Sequence, residues 1–237
     1  MIGYDEVKAT QRIGLFGGTF DPVHNGHLAV AHHITEVLQL DALWFIPAAA
    51  PPHKDVHKGS LDITPFTERA AMLKRAIGTR AEYLLSPVEK ELPEPSYTID
   101  TLREIRKRLG TSATLFFLIG IDAFVEIFTW KDYEELPKYA SLVVVSRPSC
   151  QFSEAEEVMH RYYGRYQYDP ANSTWRADGA YENIYFISME PVAASSSEIR
   201  KMVSLGKSVQ QLVPHKVAEY IKEKKLYQED IHSVDDA

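Results

Sequence analysis

Apolar residues in this chain fall into short solid runs, separated by longer stretches in which they recur every three or four positions. Six runs have strand character: Arg12–Phe16, Ala42–Ala48, Glu82–Pro87, Thr114–Gly120, Ser141–Ser146 and Asn183–Met189. Two of them, Leu115-Phe116-Phe117-Leu118-Ile119 and Leu142-Val143-Val144-Val145, lack polar alternation, as strands covered on both faces do. The spacing between runs predicts a helix from about Asn25 to Leu38, with Leu28, Ala31, Ile34, Val37 and Leu38 on one stripe. A second helix is expected from Thr64-Pro65, read as N-cap and first helical residue, through Ala70, Leu73 and Ile77 to Gly78. A third covers Tyr97–Leu109 and stops at Gly110. This alternation reads as βαβ units, hence an α/β fold with a doubly wound parallel sheet and ligands at the strand C-terminal ends.

Two segments interrupt the alternation. Ala49–Ile63 is rich in Pro, His, Lys and Asp and reads as a surface loop, the kind of segment that carries function. Ser149–Glu182 is polar and tyrosine-rich, with a helix expected near Glu154–Tyr163 and an irregular excursion after it. Residues 1–11 are expected to be a flexible N-terminus and 12–227 one domain whose helical C-terminal part starts near 195. Residues 228–237 read as a frayed acidic tail. There is no internal repeat.

Composition narrows the function classes. Among 237 residues, 26 Lys and Arg stand against 33 Asp and Glu, a net charge of −7. Such a chain is poorly suited to gripping nucleic acid through its general field, so an anionic ligand must be met by a local cluster of donors. The single cysteine, Cys150, excludes an internal disulfide and a cysteine-based zinc cluster and fits a reducing compartment. Met1–Gln11 lacks the apolar core of a signal peptide, and no run is long enough for a membrane span. A cytoplasmic location with no membrane partner is expected; a homo-oligomer is compatible with the sequence.

The candidate chemistry starts at the first βα turn. Gly17 and Gly18 follow the first strand, Thr19 to Pro22 turn the chain, and His24-Asn25-Gly26-His27 opens the first helix. Adjacent glycines let a phosphate approach the backbone, and the helix start directs N–H groups and the positive end of its dipole at the same point. His24 and His27, three apart, share a helix face and can donate to charge that builds on a phosphate. Gly26 leaves room between them. No Gly-Lys-Ser/Thr follows, so this is not a Walker A loop, nor does it match G-x-G-x-x-G. Acidic partners for a metal held by the two histidines are absent nearby, and no protein-bound metal is expected. A second anion site is suggested by Ser195-Ser196-Ser197-Glu198-Ile199-Arg200, where Ser195 and Glu198 have capping-box spacing; alone, this is also how a plain capped helix looks.

These residues resemble the nucleotidyltransferase superfamily marked by (H/T)xGH. More narrowly, the opening Gly-Gly-Thr-Phe-Asp-Pro-Val-His-Asn-Gly-His-Leu resembles bacterial nicotinate mononucleotide adenylyltransferases. Pro51-Pro52-His53-Lys54 is similar to that family's PPHK/R loop, and Ser96-Tyr97-Thr98-Ile99-Asp100-Thr101-Leu102 to its SYTxDTL. Gly120-Ile121-Asp122-Ala123 with Trp130 is similar to its GxD…W, and Ser195–Arg200 to its SSTxIR with Ser197 for Thr. Departures are Ala48-Ala49-Ala50, where the family often has Asn, and Ala194 for Ile.

The resemblance implies a Rossmann-like nucleotidyltransferase fold and adenylyl transfer from ATP to nicotinate mononucleotide, giving deamido-NAD and pyrophosphate. It implies an ATP side formed by Gly17, Gly18, Thr19, Phe20, His24, His27, Gly120, Asp122, Ser195, Ser196, Ser197 and Arg200, with His24, His27 and Arg200 catalytic. It implies a mononucleotide side formed by His53, Lys54, Tyr97, Thr98, Trp130 and Arg147, and a Mg²⁺ ion carried mainly by ATP phosphates. Nicotinamide mononucleotide or phosphopantetheine as acceptor, cytidylyl transfer, and a non-catalytic nucleotide sensor are the competing readings.

Overall fold

A computed structural model describes residues 11–49, 63–146, 152–190 and 192–228. Strands β1 (Arg12–Gly18), β2 (Ala42–Pro47) and β3 (Tyr83–Leu85) alternate with helices α1 (Asn25–Val37) and α2 (Phe66–Ile77). Then come α3 (Thr98–Leu109), β4 (Thr114–Gly120), the short α4 (Ile121–Val125) and β5 (Ser141–Ser146). Helix α5 (Ser153–Tyr162), strands β6 (Gln167–Asp169), β7 (Thr174–Arg176) and β8 (Ile184–Ser188), and helices α6 (Ser196–Ser204) and α7 (His215–Glu223) follow.

The eight strands form one sheet in the order β3-β2-β1-β4-β5-β8-β7-β6. The first six are parallel; β7 and β6 add antiparallel to the β8 edge. The doubly wound reading therefore holds for the centre, and the edge departs from it. Strand order reverses between β1 and β4, the switch point at which open α/β sheets bind ligands.

Strand alternation sends side chains into two cores. In β4, Leu115, Phe117 and Ile119 pack with Leu102 and Ile105 of α3 and Met159 of α5 on one face. Phe116 and Leu118 pack with Ile34 of α1, Leu73 of α2 and Val217 of α7 on the other. Both faces are covered, which is why the run carries no polar residue.

Two expectations need correcting. Helix α2 starts at Phe66, and its N-cap is Pro65, which offers no side-chain acceptor. Thr64 stays outside the helix because its backbone is used elsewhere: its N–H donates to Asp21 and its carbonyl accepts from Arg69. The excursion after α5 contains the β6–β7 hairpin, anchored by Trp175, which is buried in the α3/α5 core. The 228–237 tail lies outside the described residues apart from Gln228.

Candidate active site

The turn between β1 and α1 is shaped by aromatic packing. Phe20 adopts a left-handed backbone (φ 50°), which points its ring inward against Phe16, Phe45 and His27. A Cβ on Gly18 would lie 3.0 Å from that ring, so glycine is needed there for closeness to Phe20. Phe20 is buried and lines neither of the cavities described below. Its side chain therefore supports the turn, which leaves its backbone as the part of Phe20 that an ATP-side role would use.

The two histidines cap the helix they begin. His24 is the N-cap residue, and its Nδ1 accepts the His27 N–H at 3.3 Å; His27 Nδ1 accepts the His24 N–H at 3.2 Å. This reciprocal capping box is built from imidazoles instead of a hydroxyl and a carboxylate. With Nδ1 accepting in both rings, the hydrogen sits on Nε2 of each neutral ring. The rings stack at 3.7 Å between centroids. Burial, then the neighbouring His24, holds the His27 pKa well below its ordinary 6.5. The sign follows: the stability this adds is complete above pH 6.5 and is lost as the pH falls below it. Gly26 gives room to His24 itself, whose ring would meet a Cβ at 3.0 Å, and it also lines the cavity beside the histidines described below.

Helix α6 is docked on the same turn. Ser195 caps α6 by accepting the Glu198 N–H, Ser196 Oγ donates to the Pro22 carbonyl at 2.9 Å, and Arg200 donates to the Asp21 carbonyl at 2.7 Å. Arg200 also approaches Ser197 Oγ at 3.5 Å. The α1 and α6 N-termini, each with its own dipole, are thereby held together.

Two cavities open on either side of the switch point. One, about 260 Å³, is lined by His24, Gly26, His27, Asp122, Ser195 and Ser196, with Val145, Ser146, Met189 and Val192 at its far end. The other, about 270 Å³, is lined by Gly17, Gly18, Thr19, Glu89, Ser96, Tyr97, Thr98, Thr101, Trp130 and Lys131. They share Phe16, Leu118, Ile119 and Gly120. Gly17, Gly18 and Thr19 thus line the cavity opposite the histidines, although the motif had grouped them with the ATP side. Arg200 and Ser197 adjoin the histidine cavity through the contacts above without lining it. His53, Lys54 and Arg147 lie outside the described residues.

The second cavity rests on charged groups withdrawn from solvent, of which Asp21 belongs to the first motif while Arg69 and Glu89 belong to none. Arg69, 1% exposed, donates to the carbonyls of Thr19, Ala48 and Thr64. Burial lowers its pKa, and Asp21 leads the charges that oppose this. Asp21, itself buried, accepts from the Thr64 N–H and from Tyr227 Oη at 2.7 Å. Glu89 accepts from Ser96 Oγ, Thr101 Oγ1 and the Ala49 N–H; burial raises its pKa and these hydrogen bonds resist the rise. One signal was legible: Arg69 falls on the apolar stripe of α2 with Met72, Leu73 and Ala76, where a charged residue must have partners.

Among the described residues no group of three or more His, Cys, Asp or Glu could hold a metal ion, and no helix is long and apolar enough to cross a membrane.

Comparison with known proteins bears on the family and the fold. The cytidylyltransferase-like family model matches residues 15–202. A Pseudomonas putida protein named a probable nicotinate-nucleotide adenylyltransferase is 37% identical over 222 residues, 94% of this chain and 97% of that one. A Pelobacter propionicus protein of the same name is 36% identical, covering 92% of this chain and 99% of its own. Among solved structures, Plasmodium falciparum nicotinic acid mononucleotide adenylyltransferase complexed with NaAD superposes with a TM-score of 0.66 at 18% identity. That match covers 92% of this chain and 97% of the other, and at that identity it speaks for the fold alone. The chain belongs to the cytidylyltransferase-like family and, through relatives of nearly its own length, to the nicotinate-nucleotide adenylyltransferases.

Proposed function

We propose that the chain transfers the adenylyl group of ATP to nicotinate mononucleotide, forming deamido-NAD and releasing pyrophosphate. The observation that carries this reading is the pair of similar cavities that share one wall at the sheet's switch point, which suits two nucleotides meeting end to end. The mononucleotide phosphate oxygen attacks the α-phosphorus in line; the bond from that phosphorus to the bridging oxygen breaks, and its electron pair leaves with pyrophosphate. No side-chain nucleophile is needed, so catalysis rests on positioning and charge stabilisation.

In this reading residues 12–227 work as one domain. The Nε2–H groups of His24 and His27 donate to the ATP phosphates, and Arg200 with the Ser195–Ser197 turn holds the leaving pyrophosphate. Asp122 receives the ribose hydroxyls. Across the shared wall, Trp130 stacks on the pyridine ring, Tyr97 and Thr98 at the uncapped start of α3 receive the nicotinate carboxylate, and His53, Lys54 and Arg147 meet the mononucleotide phosphate. A Mg²⁺ ion in this reading is carried mainly by ATP phosphate oxygens and water. When bound, that ion offsets the charge of the triphosphate.

The test is pyrophosphate release by the purified chain given ATP, Mg²⁺ and either nicotinate or nicotinamide mononucleotide. Release with a clear preference for the nicotinate form is expected. Preference for the amide would overturn the acceptor, and no release with either would overturn the enzyme class.

A further inference from the structure

In a well-packed protein a buried hydroxyl has a hydrogen-bond partner, and each exception needs an explanation. Ser146 Oγ is such an exception. Its residue is 2% exposed at the C-terminal end of β5, and no group among the described residues pairs with the hydroxyl. Its backbone is fully engaged in the sheet: Ser146 pairs in register with Ser188, and its carbonyl accepts from the Met189 N–H. Among the described residues with an unpartnered buried side-chain atom, Ser146 is the one that lines either cavity of the site.

Its place within that cavity indicates what it meets. The histidines and the α6 cap mark the phosphate end, beside β1. Ser146 stands on β5, two strands from β1, roughly 10 Å away at ordinary strand spacing. Asp122, following β4, lies between them in the order of the sheet. Near Ser146 the cavity is lined by Val145, Met189 and Val192, with Val30 of α1 also in the lining and Glu190 between Met189 and Val192 in sequence, so a largely apolar wall carries a few polar groups. Such a wall takes a flat heteroaromatic ring, and the buried hydroxyl without a partner is the group placed to fix its orientation.

Resting on the proposed reaction, we infer that Ser146 is a base-recognition residue whose hydroxyl hydrogen-bonds the purine of ATP. A serine hydroxyl can donate to a ring nitrogen or accept from the exocyclic amino group, and either pairing satisfies the buried oxygen on binding. The unpaired state makes the empty cavity less favourable than the filled one, so the hydroxyl favours the correct base over one that leaves it unpaired.

The experiment uses the full chain and Ser146→Ala. Calorimetric binding is measured for ATP, 7-deaza-ATP, purine riboside triphosphate (which lacks the 6-amino group) and 2′-deoxy-ATP, with the thermal midpoint of each ligand-free protein. Ser146→Ala should weaken ATP about five- to tenfold, the range of one neutral hydrogen bond. The penalty should vanish with one of the two base-altered analogues and persist with 2′-deoxy-ATP, and the ligand-free midpoint should not fall. An equal penalty with every analogue, no penalty, or a penalty lost only with 2′-deoxy-ATP would overturn the assignment. So would a lower ligand-free midpoint, which would mean that the hydroxyl has a protein partner. If the parent released no pyrophosphate with ATP and either mononucleotide, the proposed reaction would fail instead, while the binding arm would still report on Ser146.

Discussion

The two cavities are alike in volume and share a wall, yet they are built by different means. The histidine cavity is made of regular elements: the ends of β4, β5 and β8 and the first turns of α1 and α6, each capped by its own side chain. The tryptophan cavity adds to the ends of β1, β2 and β4 and the first turn of α3 a set of turns held in place by buried Arg69 and Asp21 and half-buried Glu89, whose partners come from distant parts of the chain. One side is positioned by secondary structure alone, the other also by a polar network withdrawn from solvent. Damage should therefore spread differently on the two sides.

The largest effect is expected from Arg69→Met. It removes one of the positive charges near Asp21 and leaves three carbonyls without their Arg69 donor, which should cost on the order of 3–5 kcal/mol in denaturant unfolding. In the surviving folded protein, KM for the mononucleotide should rise more than KM for ATP. Equal changes in both would erase the distinction between the two sides.

His24→Asn comes next. Asparagine is a good N-cap, so α1 should survive with a stability change within about 1 kcal/mol, while the Nε2 donor is gone. Turnover should fall by about two to three orders of magnitude, as for loss of one preorganised donor. Retention of activity within a few-fold would reduce His24 to a cap alone.

The smallest of the three is Trp130→Ala. Trp130 is half-buried against the α3/α5 core and lines the tryptophan cavity. KM for the mononucleotide should rise about tenfold with kcat and the ATP KM nearly unchanged, as for a stacking contact equal in ground and transition states. A matching rise in the ATP KM would show that the shared wall transmits the change.

The same contrast decides what could be read from the sequence. Strands β4 and β5 stand where their unbroken apolar runs place them, because burial on both faces leaves no room for a polar residue. The β6–β7 hairpin was illegible: three-residue strands carry no period, and what fixes them is Trp175 reaching the core. In the site, the turn and its histidines were legible as a local motif, whereas Asp21 binds Thr64 and Tyr227 across 43 and 206 residues. Local spacing cannot encode such pairs. Thr64 misled the reading for this reason, since it has the form of an N-cap but its backbone belongs to the Asp21–Arg69 network. Ser146 carries no sequence signal at all, because what distinguishes it is the lack of a partner in three dimensions.

The hydrogen bond from Tyr227 to Asp21 also orders events in time during synthesis. The turn between β1 and α1 is made well before one of its restraints, which arrives 206 residues later. At about 5–20 residues per second, tens of seconds or less separate the two halves of that contact on the ribosome. Through that interval the glycines and histidines exist without the clasp that fixes Asp21. A nascent chain long enough to form β1 through β5 can begin to assemble the sheet, but this part of the site closes only once Tyr227 has emerged.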